Sequence, residues 1–355
     1  MFFASATTAA TTALLFAVCI VLSNANCLTI TTAEQLITFA NSVNNGTSYY
    51  GTTVYLGSDI DFTSSLSQQF EPIGKNETKY FQGTFDGKGY TIKNLVLNPS
   101  LGYVGLFGYS GGATIKNLVI DSSCSILSTY SSSSTADVGG IVGYCISCSV
   151  ESIVNMANIT FTGSATKNNF FMAGIAGRLL YASTIRNCVN YGSITHSGDT
   201  TGKESNIGGI AALCGSDGAK YIQNCANYGT ITFKGTAKTL YIGGIVGNCW
   251  AGTITVENCM SCGAISSNTQ SDRIGSIVGY IFATTTITNC LWTSDVGYNN
   301  SVGSGTATIS DSSLKELNSA TMTKLKEYAA KNSTFSSWFI LHLNGGRINN
   351  LNQET

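Results

Sequence analysis

Charged residues are scarce in this chain of 355 residues. Aspartate, glutamate, lysine and arginine together make up 10% of it, whereas about a quarter is usual in soluble domains. The formal net charge is −1, so no strong positive field exists to attract nucleic acid or an anionic membrane surface. Proline occurs only at Pro72 and Pro99. Ample Val, Ile, Phe and Tyr argue against disorder, and the polar positions are filled by Thr, Ser, Asn and Gly.

Long apolar runs are also missing beyond the amino terminus. Residues 13–22 form one apolar stretch that is too short to cross a bilayer comfortably. Small residues follow at Ser23 to Ala25, so residues 1–25 are predicted to be a secretory signal peptide, although no Lys or Arg precedes the stretch. The alternative is an uncleaved amino-terminal anchor. We therefore expect an extracellular protein, secreted or at the cell surface, with no membrane span once the signal is removed.

A glycine-rich phrase recurs six times along the chain. The copies begin at residues 103, 138, 172, 207, 242 and 274, which are 35, 34, 35, 35 and 32 residues apart, and Ile242-Gly243-Gly244-Ile245-Val246-Gly247 is typical of them. A fixed period of this length indicates a repeat architecture, in which each unit packs only against its neighbours. The paired glycines predict tight bends or a close approach of backbones.

Two further elements complete each repeat. An apolar-x-Asn element follows each glycine phrase, and a short β-branched run such as Gly229-Thr230-Ile231-Thr232-Phe233 follows that. Three short strands per period, without helical spacing, predict an all-β, right-handed parallel β-helix of about seven coils with short helical end segments. Equivalent residues then stack in columns. One predicted interior column holds Ile92, Ile115, Ile153, Ile185, Ile222, Val256 and Ile287. A second holds Leu106, Ile141, Ile175, Ile210, Ile245 and Ile277. A predicted ladder of asparagines holds Asn94, Asn117, Asn155, Asn187, Asn224, Asn258 and Asn289.

The ends of a solenoid need covers, and the sequence offers one at each end. Thr31 with Glu34, or Thr32 with Gln35, fits a capping box that opens a helix ending near Val43. The predicted organisation is a signal peptide at 1–25, an amino-terminal cap with the first strands at 26–80, the β-helix at 81–300 and a partly helical carboxy-terminal cap at 301–355.

The glycine phrases resemble the GLUG motif of secreted and surface-attached repeat proteins. Upstream segments such as residues 55–62 and 81–92 are similar to the stretch that precedes such repeats. The resemblance spans about residues 32–341 and implies a β-helix of pectin-lyase-like type in an extracellular setting. Some relatives carry the motif beside IgA-cleaving zinc peptidase domains. This chain has only His196 and His342 and no His-Glu-x-x-His, so that chemistry is not expected here.

Several residues are candidates for binding, catalysis or modification. Tyr191 and Tyr228 occupy equivalent Asn-Tyr-Gly turns and are candidates for stacking on sugars or for turn packing. Lys93 and Lys116 are predicted to lie one rung apart. They are candidates for binding an acidic sugar, or they are ordinary exposed lysines on a solvated face. Asp59, Asp61 and Asp86 are the best acidic cluster, for acid–base or calcium chemistry or for turn formation.

Eleven cysteines remain after the signal, and no matched pair of Cys-x-x-Cys motifs predicts a zinc site. Cys214 and Cys249 follow the glycine phrase at the same offset and are the candidates for a disulfide; buried free thiols are the alternative. The candidates for N-glycosylation are Asn45, Asn76, Asn299 and Asn332.

The composition and repeats favour a non-catalytic adhesin, coat component or glycan- or protein-binding module. The expected partners are extracellular glycans or host and surface proteins, with no cofactor and no metal. The alternative is an extracellular polysaccharide lyase or hydrolase that uses Asp59, Asp61 and Asp86 on the same scaffold.

Overall fold

The computed structural model describes residues 27–132, 134–269, 273–309 and 315–317. In this part of the chain parallel strands wind into a β-solenoid of about seven turns, which confirms the predicted fold. The predicted signal peptide and most of the predicted carboxy-terminal cap, including Asn332, lie outside the described residues. No helix among the described residues is long and apolar enough to cross a membrane.

Five sheets run along the rod, and each coil contributes strands to several of them. Sheet 1 comprises Cys27–Ile30, Thr53–Leu56, Ile60–Asp61, Thr84–Asp86, Thr91–Lys93, Thr114–Ile120, Ser149–Asn155, Thr184–Arg186, Val189–Asn190, Ala219–Gln223, Ala226–Asn227, Thr253–Glu257, Met260–Ser261, Thr284–Thr288, Leu291–Thr293, Thr308–Ile309 and Lys315–Leu317. Sheet 2 comprises Val96–Leu97, Ser125–Ser128, Asn158–Phe161, Ile194–His196, Ile231–Phe233 and Ile265–Ser267. Sheet 3 comprises Ser131–Ser132, Ser164–Ala165, Asp199–Thr200 and Thr236–Ala237.

The glycine phrases supply the two remaining sheets. Sheet 4 comprises Tyr103–Val104, Ala136–Gly139, Phe170–Ala173, Ser205–Gly208, Leu240–Gly243 and Ile274–Gly275. Sheet 5 comprises Phe107–Gly111, Val142–Ile146, Ala176–Leu180, Ala211–Gly215, Val246–Cys249, Val278–Ile281 and Val302–Gly305. A coil therefore holds more strands than the three predicted, because each glycine phrase bends in its middle and forms two strands.

Helix α1, Ala33–Asn44, covers the amino-terminal end of the rod as the capping signal predicts. Thr32 is the N-cap residue, and its side chain accepts a hydrogen bond from the backbone N–H of Gln35. The Gln35 side chain in turn accepts from the backbone N–H of Thr31 at 2.7 Å. Phe39 on the buried face of α1 lies 5.7 Å from the ring of Phe81. Two further helical turns occur in the described chain, α2 (Ser64–Ser67) and a 3₁₀ turn at Ser294–Val296.

The strand register corrects part of the first predicted interior column. The column that contains Ile115 consists of Leu28, Val54, Phe85, Ile115, Val150, Ile185, Ile222, Val256, Ile287 and Ile309. Ile92 belongs instead with Ile60 and Ile120, and Ile153 pairs with Leu118. The second predicted column is confirmed as an interior row, since all six of its members are buried.

The asparagines form two ladders where one was predicted. The outer ladder joins Asn187, Asn224, Asn258 and Asn289 through carboxamide hydrogen bonds of 3.0–3.2 Å, and each residue has a positive φ. Asn94 is not part of it, because its strand lies at another corner of the coil. Asn155 belongs to a second, inner ladder with Asn190 and Asn227, in which successive carboxamides are joined at 2.9 Å.

The inner ladder packs against the glycine phrases. Asn155, Asn190 and Asn227 are fully buried. A Cβ atom added to Gly174 would lie 2.3 Å from Cγ of Asn190, and one added to Gly209 would lie 2.5 Å from Cγ of Asn227. The same Cβ atoms would also lie 2.3 Å and 2.0 Å from the carbonyl oxygens of the next coil. Glycine is therefore required there by space, and the two sequence elements of the repeat depend on each other.

His196 is enclosed in the core of the rod. It lies in a sheet 2 column between Phe161 and Phe233, with its ring centroid 4.6 Å from that of Phe233. Nε2 contacts the Thr200 hydroxyl at 3.2 Å, while Nδ1 has no partner among the described residues. Burial lowers the pKa of His196 to about 4, and the nearby carboxylate of Asp199 opposes this only weakly.

Acidification should therefore destabilise the fold through His196. In the unfolded chain His196 has a pKa near 6.5 and is protonated below that pH, whereas in the folded chain it stays neutral down to about pH 4. Protonation therefore favours the unfolded chain, and the stability present above pH 6.5 is lost as the pH falls towards 4. Between pH 7 and pH 4 the free energy of unfolding should fall by about 3 kcal/mol more in the wild-type chain than in His196→Phe. Denaturant titrations at several pH values measure this. His196→Leu is the second variant if Phe does not fit, and equal pH slopes in wild type and variant would contradict the expectation.

Candidate functional site

A notch filled by side chains that point away from the main core runs along the rod where sheets 4 and 5 meet, and most of these side chains are buried. At the bend between the two strands of one coil, a Cβ atom on Gly139 would lie 2.1 Å from the carbonyl oxygen of Val142. Because the strands approach so closely, their outward side chains contact one another across the bend. We call these side chains the aromatic notch. Sheet 4 contributes Tyr103, Asp137, Phe171, Asn206 and Tyr241. Sheet 5 contributes Tyr109, Tyr144, Arg178, Leu213, Asn248 and Tyr280.

Tyrosines fill the amino-terminal end of the notch. The rings of Tyr109 and Tyr144 stack with centroids 4.6 Å apart, and Tyr103 meets both rings edge-on at 5.2 and 5.4 Å. Tyr80 from the preceding loop contacts Tyr109 at 5.6 Å. Burial raises the pKa of Tyr103 and of Tyr144, so these phenols are neutral at physiological pH. This end presents apolar ring surface together with hydroxyl groups.

A buried ion pair occupies the next coils of the notch. Arg178 binds both carboxylate oxygens of Asp137, and its guanidinium lies 4.4 Å from the ring centroid of Tyr144 and 4.6 Å from that of Phe171. Asp137 is fully buried, and burial raises its pKa to about 6 against the opposing effect of Arg178. The pair holds the two arms of the notch together.

Aromatic rings return at the carboxy-terminal end. Tyr241 and Tyr280 stack at 4.9 Å, and the guanidinium of Arg273 lies over both rings. Two residues beyond the paired notch positions Asn248 and Tyr280, Trp250 and Phe282 stack at 4.9 Å with an interplanar angle of 18°. Trp250 is 41% exposed and Phe282 is 68% exposed. Two adjacent exposed rings form an apolar platform that contacts solvent.

The candidate acidic residues have separate partners. Asp59 forms an ion pair with Lys93 at 2.8 Å, and Asp61 accepts a hydrogen bond from the Asn94 carboxamide at 2.7 Å. Asp86 is buried; it accepts hydrogen bonds from the Lys88 backbone and from Asn117 Nδ2. No cluster of three metal-binding side chains occurs within the described ranges. These contacts are those expected of aspartates that stabilise the turns and corners of the coil.

The two lysine candidates do not stack, which corrects that prediction. Lys93 pairs with Asp61 in register, whereas Lys116 lies between Asp86 and Glu151 at a different corner. Lys116 Nζ is 3.8 Å from the Asp86 carboxylate.

The two tyrosine candidates do lie together. The rings of Tyr191 and Tyr228 are nearly parallel at 5.0 Å, so each covers one face of the other. Tyr191 is 38% exposed, whereas the Tyr228 hydroxyl is buried and has no partner among the described residues. A role in binding sugars remains a prediction for this pair.

The predicted disulfide is not formed. Cys214 and Cys249 pair in register as expected, but both are free thiols. In-register residues of parallel strands point the same way, which is unfavourable for a disulfide. Cys188, Cys225, Cys259 and Cys290 are likewise buried free thiols. Burial raises the pKa of the Cys249 thiol to about 12, so this sulfur is protonated and packs as a small apolar group.

Three candidate glycosylation sites are at the surface. Asn45, Asn76 and Asn299 are all exposed. The Asn76 carboxamide oxygen accepts a hydrogen bond from the Thr78 hydroxyl of its own Asn-x-Thr site at 2.8 Å. Whether sugars are attached remains a prediction.

Removing Arg178 should destabilise the notch more than removing a comparable exposed arginine. Arg178→Met leaves the Asp137 carboxylate buried without its partner, with an expected loss of about 3–5 kcal/mol in the free energy of unfolding. The matched control is Arg186→Met, since Arg186 pairs with Glu151 at 3.7 Å on an exposed face and should lose under about 1 kcal/mol. Asp137→Asn combined with Arg178→Met should recover part of the loss. Urea denaturation measures all four chains, and similar losses for the two arginine variants would refute this account.

No protein-family model and no curated protein matches the chain. Among solved structures, a proposed immunoglobulin A1 protease from Bacteroides ovatus is similar to it, with a TM-score of 0.57 and 19% identity over 86% of this chain and 87% of that one. A second structure, named IgA1 Protease, has a TM-score of 0.46 and 16% identity over 74% of this chain and 21% of that one. At these identities the first likeness concerns the fold, and it agrees with the parallel β-solenoid.

Proposed function

We propose that this protein is an extracellular, non-catalytic binding module, an adhesin or coat component that attaches to glycans or proteins through the exposed Trp250–Phe282 platform at the carboxy-terminal end of the aromatic notch. The observation that carries the proposal is the exposed stack of Trp250 and Phe282 beside the tyrosine-lined bend. Exposed aromatic rings with few charges nearby suit contact with the C–H faces of sugars and with apolar protein side chains.

The resemblance to GLUG-motif proteins and the apolar stretch at residues 13–22 support the extracellular setting. The separate partners of Asp59, Asp61 and Asp86 support binding over polysaccharide cleavage. The name of the Bacteroides ovatus neighbour belongs to that protein, and the His-Glu-x-x-His motif of zinc peptidases is missing from this sequence.

The test uses the purified chain on a printed array of neutral and sialylated glycans and on immobilised mucin. The wild-type chain should be retained, and Trp250→Ala with Phe282→Ala should weaken retention by about tenfold or more. Both rings are exposed, so this double variant is expected to fold. Tyr50→Ala removes an 81% exposed ring at the amino-terminal end of the rod and is the matched control.

Three results would contradict the proposal. The first is equal retention of the double variant and the wild-type chain, and the second is no retention of either. The third is release of reducing sugars from plant or host polysaccharides that is abolished by Asp86→Asn, because this would make the protein an enzyme.

A further inference from the structure

A lateral groove interrupts the regular rod near its amino-terminal end. The coil that begins at Ile60–Asp61 contains an insertion with helix α2, which lies against the edge of sheet 2. There the Ser67 hydroxyl accepts a hydrogen bond from the backbone N–H of Val96 at 2.7 Å and lies 3.1 Å from its carbonyl oxygen. Between α2 and residues 94–101 remains a groove of ≈ 1080 Å³. Insertions in solenoids commonly form binding faces.

The lining of the groove is almost free of charge. Glu71 is its one ionisable residue among those described, and it is paired with Lys75 at 2.5 Å. The rings of Phe62 and Phe70 meet edge-to-face at 5.6 Å and are themselves buried. Val96 is 48% exposed in the groove. Apolar surface therefore alternates with neutral polar groups. Among the described lining residues there is no unpaired charged side chain that could bind an anion or a cation.

Three side-chain amides line the groove: Gln68, Asn94 and Asn98. Asn94 is held in a fixed orientation, since its backbone N–H donates to the Ser123 hydroxyl at 2.9 Å and Nδ2 donates to Asp61 at 2.7 Å. Its carboxamide oxygen accepts no hydrogen bond from the described chain. The side chains of Gln68 and Asn98 likewise make none there, so their donors and acceptors are available to a ligand.

We propose that this groove is a second binding site, separate from the aromatic notch, and that it takes an uncharged oligosaccharide. Amides pair with hydroxyl groups as both donor and acceptor, and Val96 offers an apolar contact for the C–H face of a sugar ring. The volume exceeds what a single small ligand of about 300 Å³ requires, so several linked sugar units fit. The absence of an unpaired basic lining residue disfavours uronic and sulfated sugars.

Calorimetric titration of the full chain tests the site with neutral hexasaccharides of glucose, xylose, mannose and N-acetylglucosamine, and with hexagalacturonate as the charged comparison. At least one neutral probe should bind, and hexagalacturonate should bind more weakly. Gln68→Ala with Asn98→Ala should weaken binding by about tenfold, since hydrogen bonds to two amides are lost. Val96→Arg should abolish it by filling the groove. All these residues are exposed, and an unchanged melting temperature checks that each variant folds.

The double variant Trp250→Ala with Phe282→Ala is the matched control and should bind the hexasaccharide as the wild-type chain does. Loss of binding in that control instead of in the groove variants would place the site in the notch and overturn the inference. The inference also fails if no neutral hexasaccharide binds, if hexagalacturonate binds equally well or better, or if the groove variants bind unchanged. The array test of Trp250→Ala with Phe282→Ala is repeated in chains that also carry Gln68→Ala with Asn98→Ala, so that binding in the groove cannot mask loss of retention at the platform and the two proposals fail separately.

Discussion

The interaction on which this fold depends is the contact between the buried asparagine ladder and the glycine phrases. Asn190 accepts a hydrogen bond from Asn155 and donates to both Asn227 and the carbonyl oxygen of Gly192, so its carboxamide is satisfied without water. An unsatisfied buried amide costs about 1–3 kcal/mol, and a shift of one residue in register would break these bonds in several coils at once. The ladder therefore fixes the register, and it fits only because Gly174 and Gly209 have no side chain.

The same bend that admits the ladder inside creates the notch outside. Gly139 allows the strands of sheets 4 and 5 to approach, and the outward residues of both strands then face each other across the bend. The inward positions repeat closely because every coil packs its interior side chains against the equivalent side chains of the neighbouring coils. The outward positions differ from coil to coil, since an ion pair, an amide pair and aromatic contacts each join the two arms. A constant interior thus carries a second, variable layer of packed side chains, and only at the carboxy-terminal end do the neighbouring rings of Trp250 and Phe282 become exposed.

The sequence predicted the parts of the structure that repeat or that obey a local rule. The period of the glycine phrases predicted the β-solenoid, and the Thr32–Gln35 capping signal predicted α1. The rung assignment was wrong at two places with distinct causes. Phe85 already holds the expected column position in its coil, and Ile92 lies on the next strand, after the turn at residues 87–89. Ser152 takes the corner position at which the prediction placed Asn155. The sequence analysis missed the notch and the groove because the residue types that form them are not repeated from coil to coil. The signal that indicates the notch is the first residue of the first glycine phrase, Tyr103, together with the residue before each of the next four phrases, which are Asp137, Phe171, Asn206 and Tyr241.

The central claim, that buried carboxamides fix the register, is tested most directly by hydrogen exchange of side-chain amides in protein labelled with ¹⁵N-asparagine. The NH₂ protons of Asn190 should exchange at least about a thousandfold more slowly than those of exposed Asn98, because their release requires opening of the core. Similar exchange rates for the two carboxamides would mean that water reaches the inner ladder, and would contradict the account.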